Sequence, residues 1–516
     1  MVRGRPITIP EKTEYYNGSY TISPSSSAQT LSVSGLKMRT NLTIRSALSD
    51  SFDKYIEGSF SSLYNSTARY VAYNTFVSTQ LREVTFTAAS YIGDCAFAYG
   101  RVSKVSFPSC KRINEDAFRC CEYLSDISFP AVTYVDDDAF FSCPSLPYVY
   151  LPECSEIEYR AFASCTSISY VSLPKCEVIR DSAFSGCWRL DNVYAPSCKR
   201  LGTSAFYGCG MSGEVSMPLL SFIDSSAFAQ TKLQHADFPE LKSTGDTVFT
   251  NCSSISYVNL PKMSRLGVNT FAGCAAIQSV SIPSVTSIGN GAFARCTGIR
   301  SIEALSCTYI SNYAFSGCVN LSRVNMPSCL FVGSYVFSGC YSLADVNMPE
   351  CETIGSSAFY YCSSLTAANF SRCTSVGVGA FQNCINLGNV YMPQVSYIST
   401  VFYGCYALTG VDMSQLQTVG IRAFANCSAL REISLPACTY ISASAFQMCS
   451  VLESIYLMGS VIPSLNSTAF YSTPLSVVSY LGVYGSIFVP ESLYSSYITR
   501  AGWSYYSNRI VSVAEE

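Results

Sequence analysis

One histidine sets the limit on acid-base catalysis in this chain. His235 is the only histidine among 516 residues, so any Ser-His-Asp or Cys-His arrangement would have to use it. It lies in a predicted strand that also holds Asp237, and strand alternation points both side chains outward. A carboxylate at that spacing could orient an imidazole, but a solvated histidine on a sheet surface is far commoner. The sequence therefore predicts a protein that is not an enzyme.

Cysteine is the other residue type that could take part in chemistry, and its placement argues against metal binding. Of the 26 cysteines, fifteen lie three residues after a repeated phenylalanine and nine lie two residues after a proline or its equivalent, which leaves Cys95 and Cys120. A cysteine fixed at one repeat position behaves as a small buried hydrophobic residue. Equivalent residues on stacked strands lie about 4.8 Å apart, whereas disulfide Cβ atoms lie about 3.8 Å apart.

We therefore expect ladders of free thiols, with disulfides as the alternative. We expect no metal and no cofactor, because no Cys-x-x-Cys pair is followed by a second such pair and the chain has one histidine.

The element that must position these residues is a repeated unit of 22 residues. Its marker is a phenylalanine, usually preceded by alanine, with thirteen spacings of 22 residues and four of 21. A fixed period of this size predicts a solenoid, in which each unit buries its apolar face against its neighbours. The markers are Phe76, Phe97, Phe118, Phe140, Phe162, Phe184, Phe206, Phe228, Phe249, Phe271, Phe293, Phe315, Phe337, Phe359, Phe381, Phe402, Phe424 and Phe446.

Each unit divides into a strand and a turn. The half Leu-x-x-Val-x-Leu alternates as a strand does and ends at a proline, which cannot continue a strand ladder. The half Ile-x-x-x-Ala-Phe-x-x-Cys spaces its apolar residues as a short helical turn does. The residues on either side of the inward valine point outward, so equivalent outward residues form columns across the sheet.

Tyrosines concentrate in these outward columns. Tyrosine combines a large contact area with a hydroxyl group and a small entropy loss, which makes it common at recognition sites. The alternative is that aromatic residues simply suit strands. The candidate binding residues are four tyrosines on three adjacent units and one further along the first column: Tyr148, Tyr150, Tyr170, Tyr194 and Tyr257.

Another outward column carries asparagine at Asn325, Asn347 and Asn369. Equivalent amides on stacked strands can donate to one another, so this column favours a stabilising amide ladder over ligand contact.

Charge and hydropathy exclude two classes of partner. Only 13% of the residues are charged and the net charge is −3, so no basic surface predicts nucleic-acid binding. The hydrophobic fraction is 48%, but no run of 18 apolar residues predicts membrane insertion. The first ten residues lack the apolar core of a secretory signal peptide, so we do not expect export by that route.

The extent of the 22-residue repeat divides the chain into four segments. Residues 1–45 lie outside it and alternate as a small β-module does, and residues 46–80 read as a degenerate repeat that caps the solenoid. The regular repeats occupy residues 81–457. Residues 458–516 read as a C-terminal cap with a closing strand, a short helix and a last strand.

The repeats resemble the leucine-rich repeats of the BspA type. The motif of that family is a leucine strand, a proline and then Ile-Gly-x-x-Ala-Phe-x-x-Cys, and it stands here at Leu343 to Cys362. The resemblance implies a leucine-rich-repeat solenoid of about 18 repeats, with a parallel β-sheet on the concave face and short helical or 3-10 turns opposite. Such proteins serve adhesion and ligand binding at surfaces.

The N-terminal segment resembles a short module of phage and prophage structural proteins. The matching stretches are Tyr16 to Tyr20, Gln29 to Leu31 and Asn41 to Ile44. The resemblance implies a virion protein that attaches to other virion proteins through residues 1–45 and presents its repeats to a host-surface protein or glycan. The alternative is a bacterial cell-surface adhesin.

Overall fold

The protein is described from a computed structural model of the full chain. The structure describes residues 20–22, 29–33, 60–66, 68–476 and 484–514. The chain forms two compact units, unit 1 over Met1–Ser253 and unit 2 over Ser254–Glu516.

Unit 1 contains nineteen described strands, which from the fourth onward alternate between longer strands, mostly of three or four residues, and shorter strands of two residues. In chain order they are β1 (Tyr20–Ile22), β2 (Gln29–Val33), β3 (Phe60–Asn65), β4 (Glu83–Phe86), β5 (Tyr91–Ile92), β6 (Lys104–Ser106), β7 (Arg112–Ile113), β8 (Asp126–Ser128), β9 (Tyr134–Val135), β10 (Tyr148–Tyr150), β11 (Glu156–Ile157), β12 (Tyr170–Ser172), β13 (Val178–Ile179), β14 (Asn192–Tyr194), β15 (Arg200–Leu201), β16 (Val215–Ser216), β17 (Phe222–Ile223), β18 (His235–Asp237) and β19 (Ser243–Thr244).

Unit 2 continues the alternation and ends in three short helices and two strands. Its strands are β20 (Tyr257–Asn259), β21 (Arg265–Leu266), β22 (Ser279–Ser281), β23 (Ser287–Ile288), β24 (Ser301–Glu303), β25 (Tyr309–Ile310), β26 (Arg323–Asn325), β27 (Phe331–Val332), β28 (Asp345–Asn347), β29 (Thr353–Ile354), β30 (Ala367–Asn369), β31 (Ser375–Val376), β32 (Asn389–Tyr391), β33 (Tyr397–Ile398), β34 (Gly410–Asp412), β35 (Thr418–Val419), β36 (Glu432–Ser434), β37 (Tyr440–Ile441), β38 (Ser454–Tyr456), β39 (Ser464–Leu465), β40 (Ser486–Pro490) and β41 (Ile510–Val513). The helices are two 3-10 helices at Glu491–Leu493 and Ser504–Arg509 and the α-helix α1 (Tyr494–Thr499).

The strands form parallel ladders that repeat once per coil. The longer strands β10, β12, β14 and β16 pair in that order, and Val149, Val171 and Val193 are register partners at intervals of one repeat. The shorter strands β5 to β19, with odd numbers only, form a separate parallel sheet of eight strands. Unit 2 repeats both kinds of ladder. The predicted parallel solenoid is therefore confirmed.

The segment opposite the longer strands is a run of tight turns. In one coil of unit 1, the N–H of Ser185 donates to the carbonyl of Ser182 at 3.0 Å, which is the bond pattern of a 3-10 turn. Two residues per coil adopt left-handed conformations, here Ser182 with φ of 56° and Gly186 with φ of 77°. The N–H of Phe184, which lies between them, donates to the carbonyl of Ala205 on the next coil at 2.8 Å. The turns are thus hydrogen-bonded between coils as the strands are.

The repeated phenylalanines form the centre of the core. In unit 1 the rings of Phe140, Phe162 and Phe184 stack with centroids 4.9 and 5.2 Å apart and planes within 5° of parallel. All three are fully buried. Burial of a phenylalanine stabilises a fold by about 1.5–3 kcal/mol, so this column contributes a large share of the cohesion between coils.

The two ends of the chain differ from the repeats. In the predicted N-terminal module, β1 pairs antiparallel with β2, and β2 pairs in parallel with β3. Of its three matching stretches, only Gln29 to Leu31 and the end residue Tyr20 lie within the described residues. At the other end, β40 pairs with β38 and with β41, and the three short helices lie between β40 and β41 in the chain.

Candidate binding surface

We define the tyrosine face as Tyr148, Tyr150, Tyr170 and Tyr194. These residues occupy outward positions of β10, β12 and β14, where Tyr148 is the register partner of Tyr170, and Tyr150 and Tyr194 both flank Ser172. Their side chains are between 40% and 55% exposed. The structure therefore brings four of the five predicted tyrosines together on one surface.

Polar residues lie both within the tyrosine face and at its edge. Ser172 is buried although it occupies an outward position, because a tyrosine stands on either side of it. At one edge, the side-chain oxygen of Asn192 accepts a hydrogen bond of 2.9 Å from the backbone N–H of Glu214. An aromatic centre with a polar rim is the usual composition of a recognition surface. The face is therefore chemically suited to contact a macromolecule or a glycan.

The fifth predicted tyrosine is not part of this face. Tyr257 belongs to unit 2, where it is the first residue of β20 and is exposed, while the next residue, Val258, is buried. Its role in binding stays a prediction.

The asparagine column forms an amide ladder over two of its three members. The amide of Asn347 donates to the side-chain oxygen of Asn325 at 2.7 Å, and the amide of Asn325 donates to Glu303 at 3.0 Å. Within the described part of the chain, the side chain of Asn369 makes no hydrogen bond. The predicted ladder is confirmed for Asn325 and Asn347 and is wrong for Asn369.

His235 and Asp237 occupy the two outward positions of β18, as predicted. Both are exposed, and Ala236 between them is buried. Among the described residues, no group of three or more histidine, cysteine, aspartate or glutamate residues could hold a metal ion.

The cysteines lie in the core as free thiols. Cys95 and Cys120 are partly exposed, and the other twenty-four are buried. Burial raises the pKa of Cys110 to about 12. Burial, followed by the adjacent thiols Cys154 and Cys198, also raises the pKa of Cys176 well above its ordinary value. A thiol with a raised pKa stays protonated and unreactive, so these residues are structural.

Charged side chains on other surfaces of unit 1 pair from coil to coil. Arg119 and Arg160 both contact the carboxylate of Asp138, at 3.0 and 3.3 Å. Burial raises the pKa of Asp138, and the charges of Arg160 and Arg119 oppose that rise. Such partly exposed pairs contribute little stability. Since their charges are already paired, these surfaces are weaker candidates for a ligand than the tyrosine face.

One further exposed tyrosine at an outward strand position of unit 2, Tyr391, was not singled out from the sequence. Tyr391 ends β32, whose Asn389, Val390 and Tyr391 repeat the residue types of Asn192 to Tyr194 in β14. This identity of three residues at the same repeat position is the sequence signal that could have found it.

The sequence matches the model of the BspA type leucine rich repeat region (6 copies) at residues 90–213, 177–300, 221–343, 286–409 and 374–484. These overlapping matches cover more than half of the chain. The chain belongs to the BspA-type leucine-rich repeat family. BspA-like repeat proteins generally mediate binding rather than catalysis, and their fold is that of surface proteins.

Solved structures to which this chain is similar include three bacterial proteins. A leucine-rich repeat protein from Bacteroides ovatus is 18% identical, with 86% of this chain and 94% of that chain covered and a TM-score of 0.40. A leucine rich cell surface protein from Faecalibacterium prausnitzii is 16% identical, with coverage of 78% and 95% and a TM-score of 0.28. The pneumococcal vaccine antigen PcpA is 14% identical, with coverage of 98% of each chain and a TM-score of 0.28.

No functionally curated protein matches this BspA-type sequence. Over the residues that the structure describes, no helix has both the length and the apolar character needed to cross a membrane.

Proposed function

We propose that this BspA-type protein is a non-enzymatic binding protein that recognises a protein or glycan of a host surface through its tyrosine face. The observation that carries the proposal is the set of four exposed tyrosines on three strands in register. A parallel sheet holds these side chains at fixed spacing, so binding orders little besides the tyrosine rings themselves.

We further propose that the protein belongs to a phage or prophage virion, in which residues 1–45 contact other virion proteins. The resemblance of the N-terminal stretches to phage structural proteins supports this location. The alternative, a bacterial cell-surface adhesin, is supported equally by the BspA-type repeats.

Immunogold labelling of the producing culture, with and without prophage induction, separates the two locations. We expect gold on released particles after induction. Gold on the cell envelope in the absence of particles would replace the virion proposal with the adhesin, and the proposed role of the tyrosine face would stand in either case.

The tyrosine face is tested by replacing Tyr148, Tyr150, Tyr170 and Tyr194 together by alanine. We expect the Kd of the labelled protein for whole cells, bacterial or animal, to rise by at least about 100-fold, because anchoring tyrosines each contribute more than about 1 kcal/mol to binding. The melting temperature should change little, because all four side chains are exposed.

A matched control replaces four exposed tyrosines of unit 1 that lie off the face, namely Tyr99, Tyr123, Tyr159 and Tyr207. This variant loses the same number of rings and hydroxyl groups and should bind as the parent does. Equal binding by both quadruple variants would remove the tyrosine face as the binding site.

A further inference from the structure

Unit 2 carries a depression on the outward side of its longer strands. It has a volume of about 430 Å³ and is lined by residues of β30, β32 and β34 only. This volume lies in the lower part of the range of roughly 300–1,000 Å³ that is usual for small-molecule sites. We call it the Tyr391 depression.

Two small residues create the space. Ala367 and Gly410 are the register partners of Asn389 in the first outward row. The side chain of Asn389 leans over Gly410, since its oxygen would lie 2.5 Å from a Cβ atom placed there. In the second outward row, Asn369 and Asp412 flank Tyr391 in register, so an amide and a carboxylate stand on either side of an aromatic ring.

The polar side chains of the Tyr391 depression are not used by the fold. Among the described residues, the side chains of Asn369, Asn389, Tyr391 and Asp412 make no hydrogen bond or ion pair. The strands β24 to β28 of the same unit present the opposite case, because there the Glu303, Asn325 and Asn347 side chains are joined by hydrogen bonds and Arg323 pairs with Asp345.

The same Asn-Val-Tyr triplet in β14 of unit 1 shows which neighbouring residues fill such a depression. In β14, Asn192 has Tyr170 as its register partner where Asn389 has Ala367. The side-chain oxygen of Asn192 is also occupied, because it accepts the hydrogen bond from Glu214. The triplet alone therefore does not make a depression. Small neighbours and unpaired polar groups distinguish the one in unit 2.

We propose that the Tyr391 depression binds a neutral saccharide. The apolar C–H face of a pyranose ring fits against the exposed ring of Tyr391, whose face carries negative charge density. The amides of Asn369 and Asn389 both donate and accept, and the carboxylate of Asp412 accepts, which matches hydroxyl groups that do both.

Charge defines the class of saccharide further. Asp412 lies in the depression, and the exposed Glu432 begins the next longer strand, β36. No Lys or Arg lines the depression. Anionic sugars and phosphates are therefore disfavoured by like charge. The proposal is independent of the tyrosine face and goes beyond it, since it assigns a second site with its own ligand class.

Saturation-transfer difference NMR with single sugars tests the proposal on the full chain. The probes are the methyl glycosides of glucose, galactose, mannose, N-acetylglucosamine and rhamnose, with N-acetylneuraminic acid as the anionic comparison. We expect at least one neutral probe to bind with a Kd on the order of 1 mM, as a small open site allows, and the anionic probe not to bind.

Two variants locate the binding. Tyr391→Ala removes the stacking surface, and Ala367→Tyr introduces the residue type that stands beside Asn192 in β12 and so fills the depression. Both variants should raise the Kd of the neutral probe by at least about tenfold, while the circular dichroism spectrum and the melting temperature stay near those of the parent. Tyrosine suits strand positions, so Ala367→Tyr is compatible with the fold.

The control is Tyr207→Ala, which removes an exposed tyrosine of unit 1 outside both proposed sites and should leave saccharide binding unchanged. Absence of signal with all five neutral probes would overturn the proposal, as would undiminished binding by Tyr391→Ala or equal binding of N-acetylneuraminic acid. None of these results bears on cell binding by the tyrosine face, so the two proposals fail separately.

Discussion

At the scale of single residues, the buried cysteines act as hydrogen-bond donors as well as small core side chains. The thiol of Cys187 donates to the carbonyl of Phe162 on an earlier coil at 3.3 Å, and the thiol of Cys176 donates to the carbonyl of Val178 at 3.2 Å. The Phe162 carbonyl also accepts from the N–H of Cys165 at 3.3 Å, so the thiol adds a second bond to that oxygen, from another coil. Each ladder thus both fills space and adds hydrogen bonds to the backbone.

This arrangement predicts which thiols react. In native protein at about pH 8, iodoacetamide should modify at most Cys120 and Cys95, because alkylation requires an accessible thiolate. Cys95 should react slowly, since burial and then the nearby Asp116 raise its pKa. A raised pKa keeps a thiol protonated at pH 8, so Cys110, which is buried and has its pKa raised to about 12, should stay unmodified as long as the fold holds.

Mass spectrometry of tryptic peptides shows which cysteines are alkylated and how many. Protein unfolded in guanidinium should take up 26 alkyl groups, one for each cysteine, and so serves as the reference. Modification of Cys176 or Cys187 in native protein would show that the ladders are open to solvent.

The sequence predicted the thiol ladders because cysteine recurs at fixed positions, but it did not predict the left-handed residues. The residue two positions before the repeated phenylalanine is Ser182 in one coil, Arg160 in another and Tyr313 in a third. All three have positive φ. Arginine and tyrosine carry no preference for that conformation, which is rare outside glycine, asparagine and aspartate. The bonds between coils impose it, and they belong to no single repeat.

At the scale of elements, ladders of side chains distinguish one group of longer strands from the next. In unit 2, β24, β26 and β28 carry the joined side chains of Glu303, Asn325 and Asn347. On β30, the equivalent residue Asn369 has no such bond among the described residues and faces the Tyr391 depression. Among the described residues, the outward side chains are thus paired with one another on the sheet of β24, β26 and β28 and unpaired on the separate sheet of β30, β32 and β34.

This difference predicts unequal effects of the same substitution. Asn325→Ala breaks two side-chain hydrogen bonds and should lower the free energy of unfolding of unit 2 by about 1 kcal/mol. Asn369→Ala breaks none and should stay within about 0.5 kcal/mol of the parent. Urea unfolding followed by circular dichroism measures both.

Asn369→Ala is the matched control, since it makes the same chemical change two positions further along the same column. Equal losses in the two variants would mean that the amide ladder does not contribute to stability.

The repeat spacing was sufficient to place the tyrosine face, because columns follow directly from a period of 22 residues. It was not sufficient for the Tyr391 depression. That feature depends on the absence of side-chain volume at Ala367 and Gly410 and on unpaired groups at Asn389 and Asp412. Neither property is visible in one repeat, because both arise from comparison with neighbouring strands.

At the scale of the whole molecule, each coil touches only its neighbours, so the ends of the solenoid need closing residues. In unit 2, the phenylalanine column continues from Phe446 to Phe470 at 5.6 Å between ring centroids. Trp503 covers Phe470 at 6.5 Å, is fully buried, and donates from Nε1 to the carbonyl of Pro463 at 2.7 Å. Trp503 therefore holds the C-terminal end of the column.

Replacement of Trp503 tests how far along the repeats the loss of stability extends when the end of the phenylalanine column is uncovered. Trp503→Ala removes a large buried ring and leaves the Pro463 carbonyl without its donor, which should destabilise the cap by about 3–5 kcal/mol. Trp503→Phe keeps an aromatic ring and loses only the donor and part of the volume, so the loss of stability should be smaller.

Hydrogen exchange with mass spectrometry should show lost protection in β38, β40 and β41 and unchanged protection in β10 to β14. An equal loss along both units would contradict stabilisation by nearest neighbours, whereas a local loss would let the cap be altered without disturbing the tyrosine face.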